Sequence, residues 1–139
     1  MVGDTDPGIR EYAKRLNLPV LFRGEVPYAQ VAQEMRSADC FILFSNIENS
    51  PCVIGEALCC GLPVIASRVG GVPELLDTTN GVLVEAKDVT GLAVAMERMI
   101  DGHRSYDRKK IAENAVSKFS YGVIGKKLDE IYSAVILKR

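Results

Sequence analysis

The chain has 139 residues, of which 47% are hydrophobic and 6% aromatic, and its formal net charge is -1. These values indicate one globular domain, or part of one, and argue against a surface for nucleic acid or anionic membranes. No apolar run approaches the roughly 20 residues of a spanning helix, and the first six residues lack signal-peptide character. The four cysteines have no C-x-x-C spacing, which indicates free buried thiols in a reducing cytosol rather than a metal site or disulfides.

Helical and strand-like patterns alternate along the whole chain. A first helix is predicted to open at Asp6-Pro7, followed by helices over 28–38, 51–60, a short stretch after 69–71, 88–100 and two closing segments. The predicted strands are apolar runs at 19–22, 40–44, 63–66 and 81–84. His103, at the end of the helix over 88–100, is predicted to be a solvated cap residue. Continuous apolar strands between helices predict an α/β fold, a Rossmann-like parallel sheet with helices on both faces.

Two glutamates separated by seven residues are the most informative feature. Glu48 stands in the loop after the strand 40–44, and Glu56 lies within the helix that follows. In a parallel sheet, such a loop and helix start lie at the carboxyl edge, where α/β proteins bind ligands. Both acids are therefore predicted to lie near a ligand site.

The start of that helix has the features of an anion site. Ser50 is predicted to be the N-cap and Pro51 the first helical residue. The free amides of Cys52, Val53 and the next residue would then point out of the helix with the positive end of its dipole, which suits a phosphate or pyrophosphate. The alternative is a capped helix without a ligand, which this feature alone favours.

Sugar hydroxyls would explain acids beside a phosphate site. Glu48 suits hydroxyls or an oxocarbenium-like centre, and Glu56, in an apolar stretch, suits a ribose diol. The alternative is two solvated or salt-bridged glutamates. A glycine pair, Gly70-Gly71, permits close backbone approach at the same edge, although a plain turn is the simpler interpretation. Main-chain groups of Gly24-Glu25-Val26 could contact a base there.

Taken together, these motifs resemble the donor-binding half of the retaining, nucleotide-sugar-dependent glycosyltransferases of group 1 (family 4), which have the GT-B fold. The family's E-x(7)-E pair corresponds to Glu48 and Glu56. Its other elements correspond to EALCCGLPVIAS at 56–67, VGGVPE at 69–74, NGVLV at 80–84, LFRG at 21–24 and ADCFIL at 38–43. The resemblance covers nearly the whole chain in order, including the closing helices.

The resemblance implies a role for each site residue. Glu48 would touch the donor sugar at the reaction centre, and Glu56 would hold the ribose. The diphosphate would lie on the amides around Ser50, Cys52 and Val53. The base would lie beside Gly24, Glu25 and Val26, and the loop of Gly70 and Gly71 would face donor or acceptor. The reaction would retain the anomeric configuration, with no cofactor and no bound metal.

The resemblance also implies that residues 1–139 are part of a donor domain. The family's G-R-x(n)-K-G segment, which grips the diphosphate, is absent, and so are the first strands of the domain and the N-terminal acceptor domain. The expected parent is a cytoplasmic enzyme, at the inner face of a membrane, that makes polysaccharide or glycolipid. The chain alone is expected to be inactive, and to self-associate or pair its strands at 19–22 and 40–44 directly.

Two alternatives remain open: a noncatalytic nucleotide- or partner-binding module of GT-B type, and a related nucleotide-sugar epimerase. The sequence does not specify the sugar, base, acceptor or linkage.

Overall fold

The computed structural model describes residues 6–136. They fall into two compact units, one ending at Glu34 and the other beginning at Met35. The first unit contains helix α1 (Pro7–Arg15) and most of helix α2 (Tyr28–Ser37). As predicted, the Asp6 side chain caps α1, accepting a hydrogen bond of 2.8 Å from the Gly8 amide.

The strand predicted at 19–22 is wrong. Residues 19–22 have no regular secondary structure. The Val20 amide donates instead to the nearby Leu18 carbonyl, at 2.8 Å. An apolar run alone does not make a strand, because its backbone groups need a neighbouring strand with which to pair.

The second unit is built on a parallel sheet of three strands in the order β1 (Phe41–Leu43), β2 (Val64–Ser67) and β3 (Gly81–Val84). Phe41 pairs with Val64, and Val64 pairs with Gly81. These strands confirm the predictions at 40–44, 63–66 and 81–84 to within one residue at each end. Because β1, β2 and β3 run in the same direction, their carboxyl ends meet at one edge.

Helices cover both faces of this sheet. All four residues of β2 are buried, and since alternate side chains of a strand point to opposite faces, neither face is open there. Helix α4 (Val89–Gly102) covers one face through a cluster of Ile65, Val84, Ala95 and Met99. Helix α3 (Cys52–Cys59) buries Ile54, Ala57 and Leu58 and packs against helix α5 (Arg108–Phe119).

The ends of the later helices follow their sequence signals. Asp88 accepts a 2.8 Å hydrogen bond from the Gly91 amide at the start of α4. His103 is the C-cap of α4, as predicted, but it is half-buried rather than solvated. Its Nδ1 lies 3.0 Å from the Ile100 carbonyl oxygen. The last helix, α6 (Tyr121–Ile136), has no buried residue and exposes an apolar face that includes Leu128 and Ile131.

The four cysteines are free, as predicted, but the prediction that they are buried is wrong. Cys52 is exposed because it is the first residue of α3, and Cys40, Cys59 and Cys60 are half-buried. Burial raises the pKa of the Cys40 thiol to about 11. That thiol is therefore neutral at physiological pH.

Arg108 joins three segments at the amino edge of the sheet. Its guanidinium donates to the Gly61 carbonyl at 3.1 Å, to the Ala38 carbonyl at 2.9 Å and to the Arg36 carbonyl at 3.2 Å. A planar guanidinium can direct several N–H groups to separate acceptors, which an ammonium group on a flexible stem cannot reproduce.

Arg108→Ala is therefore expected to lower the free energy of unfolding by about 2 to 4 kcal/mol, because charge-assisted hydrogen bonds are lost and carbonyl groups are left unpaired. Urea unfolding followed by circular dichroism measures this change. Arg104→Ala, at an exposed arginine nearby, is the control and should change stability by less than about 0.5 kcal/mol. Equal stability of both variants would contradict the role of Arg108.

Candidate functional site

Two loops meet at the carboxyl edge of the sheet, as the motif spacing predicts. The loop after β1 carries Glu48, and the loop after β2 carries Gly70 and Gly71. The Gly71 amide donates a 2.7 Å hydrogen bond to the Asn49 carbonyl. The loop at the start of the E-x(7)-E segment and the glycine pair are therefore joined through their backbones.

The glycine pair is more than a plain turn. Gly70 has a φ of +51°, and a Cβ built on it would overlap the Glu48 carbonyl oxygen. A Cβ on Gly71 would lie 2.7 Å from the Asn49 carbonyl oxygen. Only residues without a side chain allow these two backbones to come so close.

The start of α3 differs from the prediction in two respects. Pro51, rather than Ser50, is the N-cap, and no side chain accepts a hydrogen bond there. Ser50 is exposed and Cys52 is the first helical residue. Pro51 takes an extended conformation with ψ of 108°, which moves the helix start one residue along. No side chain therefore caps this helix. The Ile54 amide, which the sequence analysis expected to be free, donates to the Pro51 carbonyl at 3.2 Å, which leaves the amides of Cys52 and Val53 for an anion.

Glu48 is held by a residue that the sequence analysis missed. The Ser45 hydroxyl donates a 2.7 Å hydrogen bond to Oε1 of Glu48, and both side chains are half-buried. The signal that could have revealed Ser45 is a hydroxyl three residues before an acid, directly after a buried strand.

Glu56 lies on α3, between the buried residues Ile54 and Ala57, and is half-buried. It and Val53 belong to the first turns of the helix, so the structure places them in the same segment as the uncapped start. Gly24, Glu25 and Val26 lie in the first unit, where they form the predicted loop and Gly24 has a φ of +65°.

The charged groups at this edge partly pair among themselves. Arg68, which directly follows β2, donates from Nε to Glu85 at 2.9 Å, and both side chains are largely exposed. Among residues 6–136, no group of three or more His, Cys, Asp or Glu side chains could hold a metal ion. In the same part of the chain, no helix is long and apolar enough to cross a membrane.

A groove of 370 Å³ in the second unit lies away from this edge. It runs between residues 75–80 and α5. Within it, hydrogen bonds from Thr79 lower the pKa of Asp77, with the nearby Lys118 adding a smaller effect. Asp107 caps α5 through the Lys110 amide at 3.0 Å. The two motif glutamates, the glycine pair and the first amides of α3 do not line this groove.

Comparison with known proteins assigns the family. Residues 1–102 match the model of the family described as glycosyl transferases group 1. The chain belongs to this family. It is 34% identical over 125 residues to D-inositol 3-phosphate glycosyltransferase of Corynebacterium kroppenstedtii, covering 86% of this chain and 27% of that protein.

A second relative of this group 1 chain is the putative teichuronic acid biosynthesis glycosyltransferase TuaC of Bacillus subtilis, 34% identical over 116 residues, with 81% of this chain and 29% of that protein covered. The crystal structure of Anabaena Alr3699/HepE in complex with UDP gives a TM-score of 0.82 at 28% identity, covering 96% of this chain and 40% of that one. The chain thus spans less than half the length of each, and its fold is half of a GT-B architecture.

Proposed function

We propose that this chain is the donor-binding part of a glycosyltransferase that moves a sugar, with retention, from a nucleotide-sugar to a hydroxyl acceptor. The observation that carries the proposal is the contact between the Glu48 loop and the glycine pair beside the uncapped start of α3. This arrangement offers a carboxylate and free amides at one edge, which suits a sugar joined to a diphosphate.

Each residue has a proposed role. The amides of Cys52 and Val53, with Ser50 beside them, would hold the diphosphate, and no metal or other cofactor would be needed. Glu56 would hold the ribose, and Glu48 would stabilise the positive charge that develops on the sugar. Gly24, Glu25 and Val26 would contact the base.

The acceptor site would lie in a part of the full-length protein outside residues 1–139. The matched part of this chain covers 27% of the D-inositol 3-phosphate glycosyltransferase. The chain alone would then bind donor without transferring sugar, and it could self-associate. The relative named for teichuronic acid biosynthesis supports a role in polysaccharide or glycolipid synthesis. The four free cysteines are in keeping with a cytoplasmic protein, and we place the intact enzyme at the inner face of a membrane.

A thermal-shift series on the full-length protein tests the proposal. The ligands compared are uridine, guanosine and adenosine diphosphates and the corresponding nucleotide-sugars. A ligand that binds only the folded state raises the melting temperature. One nucleoside diphosphate should raise the melting temperature clearly more than the others. The corresponding nucleotide-sugar should be consumed when an acceptor is present. Binding without turnover would favour a noncatalytic module, and conversion of the free nucleotide-sugar would favour an epimerase.

Glu56→Gln is expected to weaken binding of that nucleoside diphosphate by roughly 10- to 150-fold, because a charge-assisted hydrogen bond to a ribose hydroxyl is worth about 1.5 to 3 kcal/mol. Titration calorimetry on the full-length protein measures the loss. Glu97→Gln, at an exposed glutamate of α4, is the control and should bind normally. Unchanged affinity of Glu56→Gln, at an unchanged melting temperature, would rule out the ribose role.

A further inference from the structure

The Glu48 side chain is held independently of its backbone. The backbone of its loop is fixed by the 2.7 Å hydrogen bond from the Gly71 amide to the Asn49 carbonyl and by the close approach of Gly70. This leaves the torsions of the Glu48 side chain itself, which the glycine pair does not control. The Ser45 hydroxyl reaches Oε1 of Glu48 at 2.7 Å and so restricts those torsions.

The geometry of the contact between Ser45 and Glu48 is suited to orienting the Glu48 carboxylate. A hydroxyl that donates to a carboxylate at this distance makes a charge-assisted hydrogen bond. Ser45 follows the end of β1 by two residues and is half-buried, so its own position is set by the sheet. The bond uses only one lone pair of one carboxylate oxygen, which leaves the other oxygen of Glu48 for a ligand.

We infer that Ser45 is a positioning residue that acts through Glu48 in the sugar-transfer reaction. The inference rests on the proposed function, and specifically on Glu48 facing the donor sugar. Ser45 keeps the carboxylate in one orientation before the donor binds, so that the charge is already placed when the transition state forms. Ser45 itself does not contact the donor.

The test uses Ser45→Ala and Ser45→Thr in the full-length protein. Ser45→Ala should lower kcat roughly 10- to 100-fold, because misplacing a catalytic group by about 1 Å has effects of this order. The dissociation constant of the nucleoside diphosphate should change less than twofold. Ser45→Thr keeps the hydroxyl and should recover most of kcat. Asn46→Ala, at the exposed neighbour in the same loop, should behave as wild type.

A double-variant cycle separates orientation from general stability. Once Glu48→Gln has removed the carboxylate, adding Ser45→Ala should cause little further loss of kcat, because two residues that act as one unit are not additive. Additive losses, or no rescue by threonine, would overturn the inference. So would a sugar-sized mass increase on Ser45 after incubation with donor. If Glu48→Gln alone leaves kcat unchanged, the proposed role of Glu48 fails instead.

Discussion

Glu48→Gln in the full-length protein is expected to lower kcat about 100- to 1,000-fold, which is the usual cost of removing one group that stabilises transition-state charge. The substitution keeps the shape and the hydrogen-bonding length of the side chain but removes its charge. Since the interaction is made mainly in the transition state, the dissociation constant of the nucleoside diphosphate should change less than threefold. Steady-state kinetics and calorimetry on the same preparation measure both quantities.

Two further measurements interpret this result. Glu97→Gln, on the exposed side of α4, controls for the loss of one negative charge and should leave kcat unchanged. A melting temperature equal to wild type shows that the loop of Glu48→Gln is intact. If diphosphate binding and kcat fall by the same factor, Glu48 contributes to the phosphate site or the fold and not to the reaction.

Gly70→Ala is expected to lower the free energy of unfolding by about 2 to 4 kcal/mol. Its φ of +51° disfavours any side chain, at a cost of about 1 to 2 kcal/mol, and the added Cβ overlaps the Glu48 carbonyl. The Cβ is fixed by the backbone of residue 70 and the carbonyl oxygen belongs to the backbone of Glu48, so no side-chain rotation relieves the overlap. One of the two loops must move. Urea unfolding of the 139-residue chain measures the change.

Gly125→Ala is the matched control for this substitution. Gly125 lies within α6, and a Cβ built there meets nothing within 4 Å. Alanine is the better helix former, so this variant should gain up to about 1 kcal/mol of stability. The same glycine-to-alanine change is thus expected to lower the free energy of unfolding at position 70 and to raise it at position 125. A neutral Gly70→Ala would show that the two loops can separate without cost.

The sequence predicted the fold where capping residues, glycines and apolar runs mark the ends of elements that are also buried in the structure. The strand at Gly81–Val84 was predicted to the residue, because Gly81 and the apolar run bound it sharply. The helix beginning after Asp88 followed its capping residue and its glycine end. In these places a short window of sequence contains the physical cause of the structure.

The sequence failed where the structure depends on distant residues or on the conformation of a loop. The run at 19–22 has strand-like composition, but strand formation depends on a pairing partner that composition does not provide. Ser50 is a good N-cap by residue type, yet Pro51 takes that position. The contact of Ser45 with Glu48 depends on how the loop after β1 folds, and that of Gly71 with Asn49 depends on how two loops meet. The motif spacing located the candidate site but not the residues that support it.

The backbone link between Gly71 and Asn49 also limits the exchange of loops between relatives. A chimaera that takes only residues 44–51 from a relative would place a foreign backbone against the resident glycine pair. The hydrogen bond and the close approach would then depend on two loops that had not been selected together. We therefore expect segments 44–51 and 68–71 to be exchangeable only together, and recombination between relatives should preserve them as a pair.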